Sequence, residues 1–359
     1  MSPITGKELI MGDFPQITPK ENIMMAYRHE KPAYIPSMFT DIAMFQANPT
    51  MERYCGLETG RDGFNVEWKF ERRANAPMTT QDHQITSITD WEKIKFPDLD
   101  AIDWEKQADI DAHTNISALV GGKGLVPFDD GHSVFDEDDK FKMCMVINGP
   151  FERMHALEGF DNALCDLLTE PEACADYFAA ISDWKCRYFH KIATYYKVDG
   201  INGHDDYGSA HNLFMSLDTW RKLIKPNLAK MVEQVHKDGL IYQHHSCGYV
   251  EPLFDDLIEI GVDALDTLQG GSNPNLGELK KRYGDKITFC GGFDNQYVLE
   301  QPDVTPEQIK AEYRRVIDLL APGGSYVVFP ISLGGAWMMH FAQEHFQYGM
   351  SYYATHPEA

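Results

Sequence analysis

The chain has 359 residues, 43% of them apolar, and 55 acidic against 32 basic side chains give it a formal net charge of −23. That length with ordinary apolar content can fill one large core, as a single α/β barrel does. The acidic excess repels polyanions and excludes nucleic acid as a partner; no apolar run reaches the roughly 18 residues of a membrane-spanning helix.

In chain order, residues 1–32 read as a helical lead-in. Residues 60–140, polar and irregular with the acidic run Asp136-Glu137-Asp138-Asp139, read as insertions. Phe141 to Asn148 is a strand. Thr169-Glu170-Pro171-Glu172 predicts a helix start, with Thr169 as N-cap, and the helix runs to about Tyr196. Val198 to Asn202 is the next strand, leading into His204-Asp205-Asp206-Tyr207-Gly208. Asp218 to Lys237 is helical. Gly239 to Gln243 is a strand that runs into His244-His245-Ser246-Cys247-Gly248.

Val250 to Ile260 predicts a helix, Val262 to Asp266 a strand, Asn275 to Gly284 a helix and Ile287 to Cys290 a strand. Thr305-Pro306-Glu307-Gln308 carries the N-cap, the proline and the third-position amide of a capping box. Ser325 to Phe329 is the last strand, and an aromatic-rich helix closes the chain. Strand and helix alternate, which predicts a parallel sheet with helices outside: a TIM-type (β/α)8 barrel spanning 1–359 as one domain. No Gly-x-Gly-x-x-Gly follows a strand, and Gly121-Gly122-Lys123-Gly124 lacks the Ser or Thr of a phosphate loop.

Met1-Ser2-Pro3-Ile4-Thr5 does not read as an export signal, and the seven cysteines are scattered, so reduced thiols and a cytoplasmic location are expected.

All strands of a parallel barrel end on one face, and that face carries the site. His245 and Cys247 put an imidazole and a thiol at one strand tip, and Cys290 ends another. These residue types suit a tetrahedral zinc with three protein ligands and one open position, so His245, Cys247 and Cys290 are the candidate metal set. His244, on the opposite side of its strand, reads as structural. His204, Asp205 and Asp206 at the neighbouring tip are candidates to orient a metal-bound histidine, donate a proton or bind the ion. Phe39, Trp68, Tyr207, Asp294, Gln296 and Trp337 form the candidate substrate set, with packing the ordinary reading of the aromatic ones.

At these residues the chain resembles the uroporphyrinogen decarboxylase and cobamide-dependent methyltransferase family. The likeness runs through Thr18-Pro19-Lys20-Glu21-Asn22 to Lys31-Pro32-Ala33-Tyr34-Ile35-Pro36, then Asp62 to Trp68 and Asp205-Asp206-Tyr207-Gly208. It continues in His245-Ser246-Cys247-Gly248, Cys290-Gly291-Gly292-Phe293-Asp294 and Thr305-Pro306-Glu307. The resemblance implies a TIM-type barrel and one of two chemistries. A porphyrinogen decarboxylase needs pocket arginines, and Lys31 to Glu52 holds none; it is also metal-free. The preferred expectation is therefore a zinc-dependent methyltransferase working with a corrinoid carried by a partner protein, with O-demethylation of a methoxylated aromatic compound as its direction. Transfer from methylcobamide to a zinc-bound thiol of the coenzyme M type is the alternative. The methyltransferase branch carries a late cysteine near the last strand; here that segment reads Phe329-Pro330-Ile331-Ser332-Leu333-Gly334, leaving Cys290 or an acidic residue as third ligand. The expected partners are a corrinoid protein, a small methyl donor or acceptor and, as an option, a second copy in a homodimer.

Overall fold

The computed structural model describes residues 17–50, 52–71, 76–116, 125–330, 335 and 337–359. Its centre is a wholly parallel sheet in the order β1 (Ile42–Gln46), β7 (Phe141–Val146), β8 (Gly200–His204), β9 (Ile241–His245), β10 (Ala264–Asp266), β11 (Thr288–Cys290) and β12 (Tyr326–Val327). The two ends of this seven-stranded sheet meet. Ser37 forms a parallel bridge with Val328, and backbone bonds run from Met38 N to Val328 O (3.0 Å) and from Val328 N to Pro36 O (2.9 Å). The wall is therefore continuous and has no free edge among the described residues.

Helices form the outer layer. α1 (Pro19–Tyr27) starts from a full Thr18–Glu21 capping box and covers the amino-terminal end of the barrel. Its Ile23, Ala26 and Tyr27 pack against Ile42, Phe141, Met143 and Ala264, residues at or near the starts of their strands. Thr305 caps the helix Pro306–Leu320 with Gln308 as its reciprocal partner, as the sequence predicts. The helix expected from Thr169 starts later, at Pro171. Thr169 instead ends the preceding helix (Phe160–Thr169), where its hydroxyl donates to the Cys165 carbonyl. The stretch expected as one helix from Asp218 is two, Leu217–Leu223 and Lys225–Lys237. Pro226 lacks the N–H that would carry the ladder across the break.

The residues between β1 and β7 include two small antiparallel sheets. One is three-stranded, β2 (Gly60–Arg61), β3 (Glu67–Glu71) and β4 (Ala76–Thr79); the other pairs β5 (Thr114–Asn115) with β6 (Val126–Pro127). Asp62 ties the first to the barrel. Its carboxylate accepts from the backbone N–H of Phe64 and Val66, from Trp68 Nε1 (2.8 Å) and from Arg153 Nη1 (2.6 Å), and this ion pair is fully buried. No disulfide links any of the seven cysteines, and no described helix is long and apolar enough to cross a membrane.

Candidate metal centre

His245 is the last residue of β9, and strand alternation turns it inward while His244 faces out, stacked between Tyr207 and Tyr242. Gly248 follows at φ 77°, a left-handed conformation in which a side chain would meet the Gly208 carbonyl. This tight turn brings Cys247 back over the barrel mouth, where Sγ lies 3.5 Å from His245 Nε2. Asp206, just past β8, accepts from Cys247 N at 2.7 Å, and its Oδ1 stands 3.8 Å from His245 Nε2. One ligand atom each from Asp206, His245 and Cys247 fall within 4.8 Å of one another.

Beneath them runs a column of buried polar side chains. His245 Nδ1 meets Asp266 Oδ1 at 2.5 Å. Asp266 Oδ2 accepts from Asn202 and Gln243, each at 2.7 Å, and Gln243 Oε1 accepts from Tyr27 O–H at 2.9 Å. A carboxylate on Nδ1 holds one proton there and leaves Nε2 facing the centre, where an ion would take the place of a second proton. Burial opposes charge on His245, but Asp266 and Cys247 outweigh it and hold its pKa well above the ordinary value. An imidazole, a thiol and a carboxylate, with a second carboxylate behind the imidazole, fit a zinc-class cation.

The remaining expected residues divide sharply. His204 belongs to the centre: its ring stacks on His245 at 3.9 Å between centroids, and its Nε2 contacts Asn202 Oδ1 at 2.8 Å. Burial, then the neighbouring His245, push its pKa well below 6.5. Asp205 turns away and accepts from the first-turn N–H groups of Phe151 (3.1 Å) and Glu152 (2.8 Å) and from Tyr207 O–H (3.0 Å). It anchors the start of the helix Pro150–Glu158, and burial with the Glu152 charge lifts it to about 8. Tyr207 is buried with it, its ring against His244 and Trp220.

Cys290 is not brought to the centre. It lies inside the barrel in the cluster around Tyr27, and its Sγ meets Gln243 Oε1 at 3.6 Å, the inward position one step before His245. Its place in the candidate metal set passes to Asp206. Trp68 is held by Asp62 within the insertion. Phe39 and Trp337 both pack on Phe341, at 6.1 and 5.4 Å between ring centroids. Asp294 accepts from Tyr297 N at 2.9 Å and so caps the turn Asn295–Leu299, while Gln296 on that turn is exposed.

Asp266, Arg53 and Glu152 join the surroundings of the centre without standing among the candidates above. Asp266 ends a predicted strand, the same signal that pointed to His245. Arg53 stands one residue beyond the arginine-free stretch, lies over the Trp68 ring at 5.1 Å and donates to Asn148 Oδ1. It approaches Glu152 Oε1 at 3.7 Å, and burial, followed by the Asp206 charge, pushes Glu152 up to about 7.

A parallel barrel with its reactive groups gathered where the strands end defines a TIM-barrel protein. The family profile of uroporphyrinogen decarboxylase (URO-D) matches residues 134–346, and the chain belongs to that family. Among solved structures, a methyltransferase from Methanosarcina mazei shares the fold, with a TM-score of 0.62 over 92% of this chain and 99% of that one at 14% identity. No curated protein sequence matches the chain.

Proposed function

We propose that the protein is a zinc-dependent methyltransferase that passes a methyl group from a small methoxylated aromatic compound to the cobalt of a corrinoid on a partner protein. The observation that carries this reading is the convergence of Asp206, His245 and Cys247 above an Asp266-oriented imidazole. Bound zinc would supply Lewis acidity at the leaving oxygen. The chain's own residues supply the rest. Asp266 fixes the His245 tautomer, Asp206 pins the Cys247 backbone, and His204, uncharged and stacked on His245, walls the centre without adding positive charge. A single sulfur and a carboxylate put less electron density on the ion than two thiolates would. The donor set therefore supports ether activation over transfer to a thiol. The fold shared with a methyltransferase agrees with this reading.

A second reading is favoured by Arg53. A guanidinium beside the centre suits a carboxylate-bearing substrate, as a metal-free decarboxylase of the family would require. Metal analysis of the purified chain separates the two. Stoichiometric zinc, with loss of the cobalt(I) spectrum when reduced corrinoid and a methoxyaromatic donor are added, supports methyl transfer. A metal-free chain that decarboxylates a porphyrinogen overturns it.

A further inference from the structure

Two buried amides hold the outer oxygen of Asp266: Asn202 Nδ2 and Gln243 Nε2 each donate to Oδ2 at 2.7 Å. An amide carries a donor at one end and an acceptor at the other, so whatever engages its oxygen decides where its NH2 points. Asn202 is set from the mouth, where its Oδ1 contacts His204 Nε2 at 2.8 Å. Gln243 is set from the opposite end of the barrel, where its Oε1 accepts from Tyr27 O–H at 2.9 Å and meets Cys290 Sγ at 3.6 Å. Tyr27 is the last residue of α1 and is buried, yet its two parts face different surroundings. The ring packs on Phe141, 5.3 Å between centroids, within the apolar cluster. Only the hydroxyl enters the polar column. Burial above all holds the phenol well above its ordinary pKa, so it stays protonated and donates. The neighbouring Ala26 carbonyl accepts from Thr288 Oγ1 at 2.9 Å, which pins this end of α1 to β11.

We infer that Tyr27 is a positioning residue for His245, acting through Gln243 and Asp266 along an unbroken run of hydrogen bonds. The effect on zinc rests on the metal reading above; the effect on the imidazole does not. Without the Tyr27 hydroxyl, the buried Gln243 oxygen keeps only a thiol, a weak donor, and the amide is free to turn. Turned, it sets its oxygen against Asp266 Oδ2, acceptor against acceptor. Asn202 then holds Oδ2 alone, the carboxylate rotates more freely, and the ring that carries Nε2 loses its fixed direction. A ligand that must be ordered as the ion arrives binds it less tightly than one ordered beforehand. The helix that covers one end of the barrel thereby takes part in the chemistry of the other.

The test uses the full chain and Tyr27→Phe, which keeps the ring and deletes the hydroxyl. Titration with Zn²⁺ against a chromophoric chelator should show binding weaker by about 10-fold, the lower end of the range for groups behind a metal ligand. Ile23→Ala, which loosens the same apolar cluster without touching the polar column, should bind Zn²⁺ as the wild type does. In the metal-free, ¹⁵N-histidine-labelled chain, the far-downfield Nδ1–H resonance of His245 should move upfield in Tyr27→Phe and stay in place in Ile23→Ala. Because Tyr27 acts only through Gln243, adding Tyr27→Phe to Gln243→Met should weaken binding no further than Gln243→Met alone. Zinc affinity and a His245 resonance that both equal the wild type's in Tyr27→Phe overturn the inference while the metal reading stands, and so does full additivity in the double variant. A wild type that takes up no zinc overturns the metal reading, and the His245 resonance then decides the inference by itself. Should Tyr27→Phe not fold, Gln243→Met decides: weaker zinc binding with a shifted resonance supports the inference, and wild-type values of both overturn it, since Tyr27 then has no route to His245.

Discussion

The two ends of the barrel are built from different materials. At the amino-terminal end, α1 seals the strands with Ile23, Ala26 and Tyr27 against Phe141, Met143 and Ala264, an almost wholly apolar layer. At the carboxyl-terminal end, imidazoles and carboxylates crowd together, several of them buried. Burial of apolar area stabilises the first end, while the second concentrates groups whose desolvation opposes folding. Each end holds a cysteine that sequence alone marks as a strand tip, yet only Cys247 faces a set of metal-type ligands. A ligand-type residue at the end of a strand is thus a candidate, and the layer it occupies decides its chemistry.

Substitutions at the two ends should separate. The largest effect is expected from Cys247→Ser, with zinc affinity falling by about 1,000-fold or more and the fold retained. Cys290→Ser should keep full metal stoichiometry. Inductively coupled plasma analysis of both proteins checks this, and metal loss in the Cys290 variant would break the contrast. Next comes Tyr27→Ala, which empties the sealed end. Chemical denaturation should show a loss of about 3–5 kcal/mol.

Asp266→Asn sharpens the comparison, because Asp266 lies between the ends. It removes the charge behind His245, and chelator competition should report zinc binding weaker by about 10–100-fold.

The smallest effect concerns neither end. Glu158 is buried with both carboxylate oxygens unmatched, and burial, then the Asp166 charge, raise it to about 8. Its folded pKa exceeds its unfolded one, so the proton is held more tightly in the fold. The stability this gives is complete below the unfolded pKa of about 4.3 and is lost as pH rises through about 8. Glu158→Gln should flatten that decline and stabilise the chain at pH 8 by about 1 kcal/mol, measured by thermal melting across that window; an unchanged slope would remove Glu158 as its source.

Much of the barrel was legible because strand alternation and capping chemistry are local. Thr305-Pro306-Glu307-Gln308 caps its helix as read, and His245 against His244 follows from the two-residue period of a strand. The choice between Asp205 and Asp206 was not legible, since both lie past β8 and the path of the loop decides which one caps a helix. Cys290 misled for a different reason. Its strand is three residues long, and the stagger between neighbouring strands, which no single strand encodes, sets its depth. Arg53 and Glu152 lie outside every strand and helix predicted above, and only packing brings them together.

The chain Tyr27–Gln243–Asp266–His245 links the sealed base to the reactive rim through one amide. Gln243 presents its NH2 to Asp266 while its oxygen accepts from Tyr27 and meets the Cys290 thiol. Anyone redesigning this barrel for another substrate should therefore vary positions 27, 243, 266 and 290 jointly, because a library that randomises the mouth alone inherits a tautomer dictated from the floor.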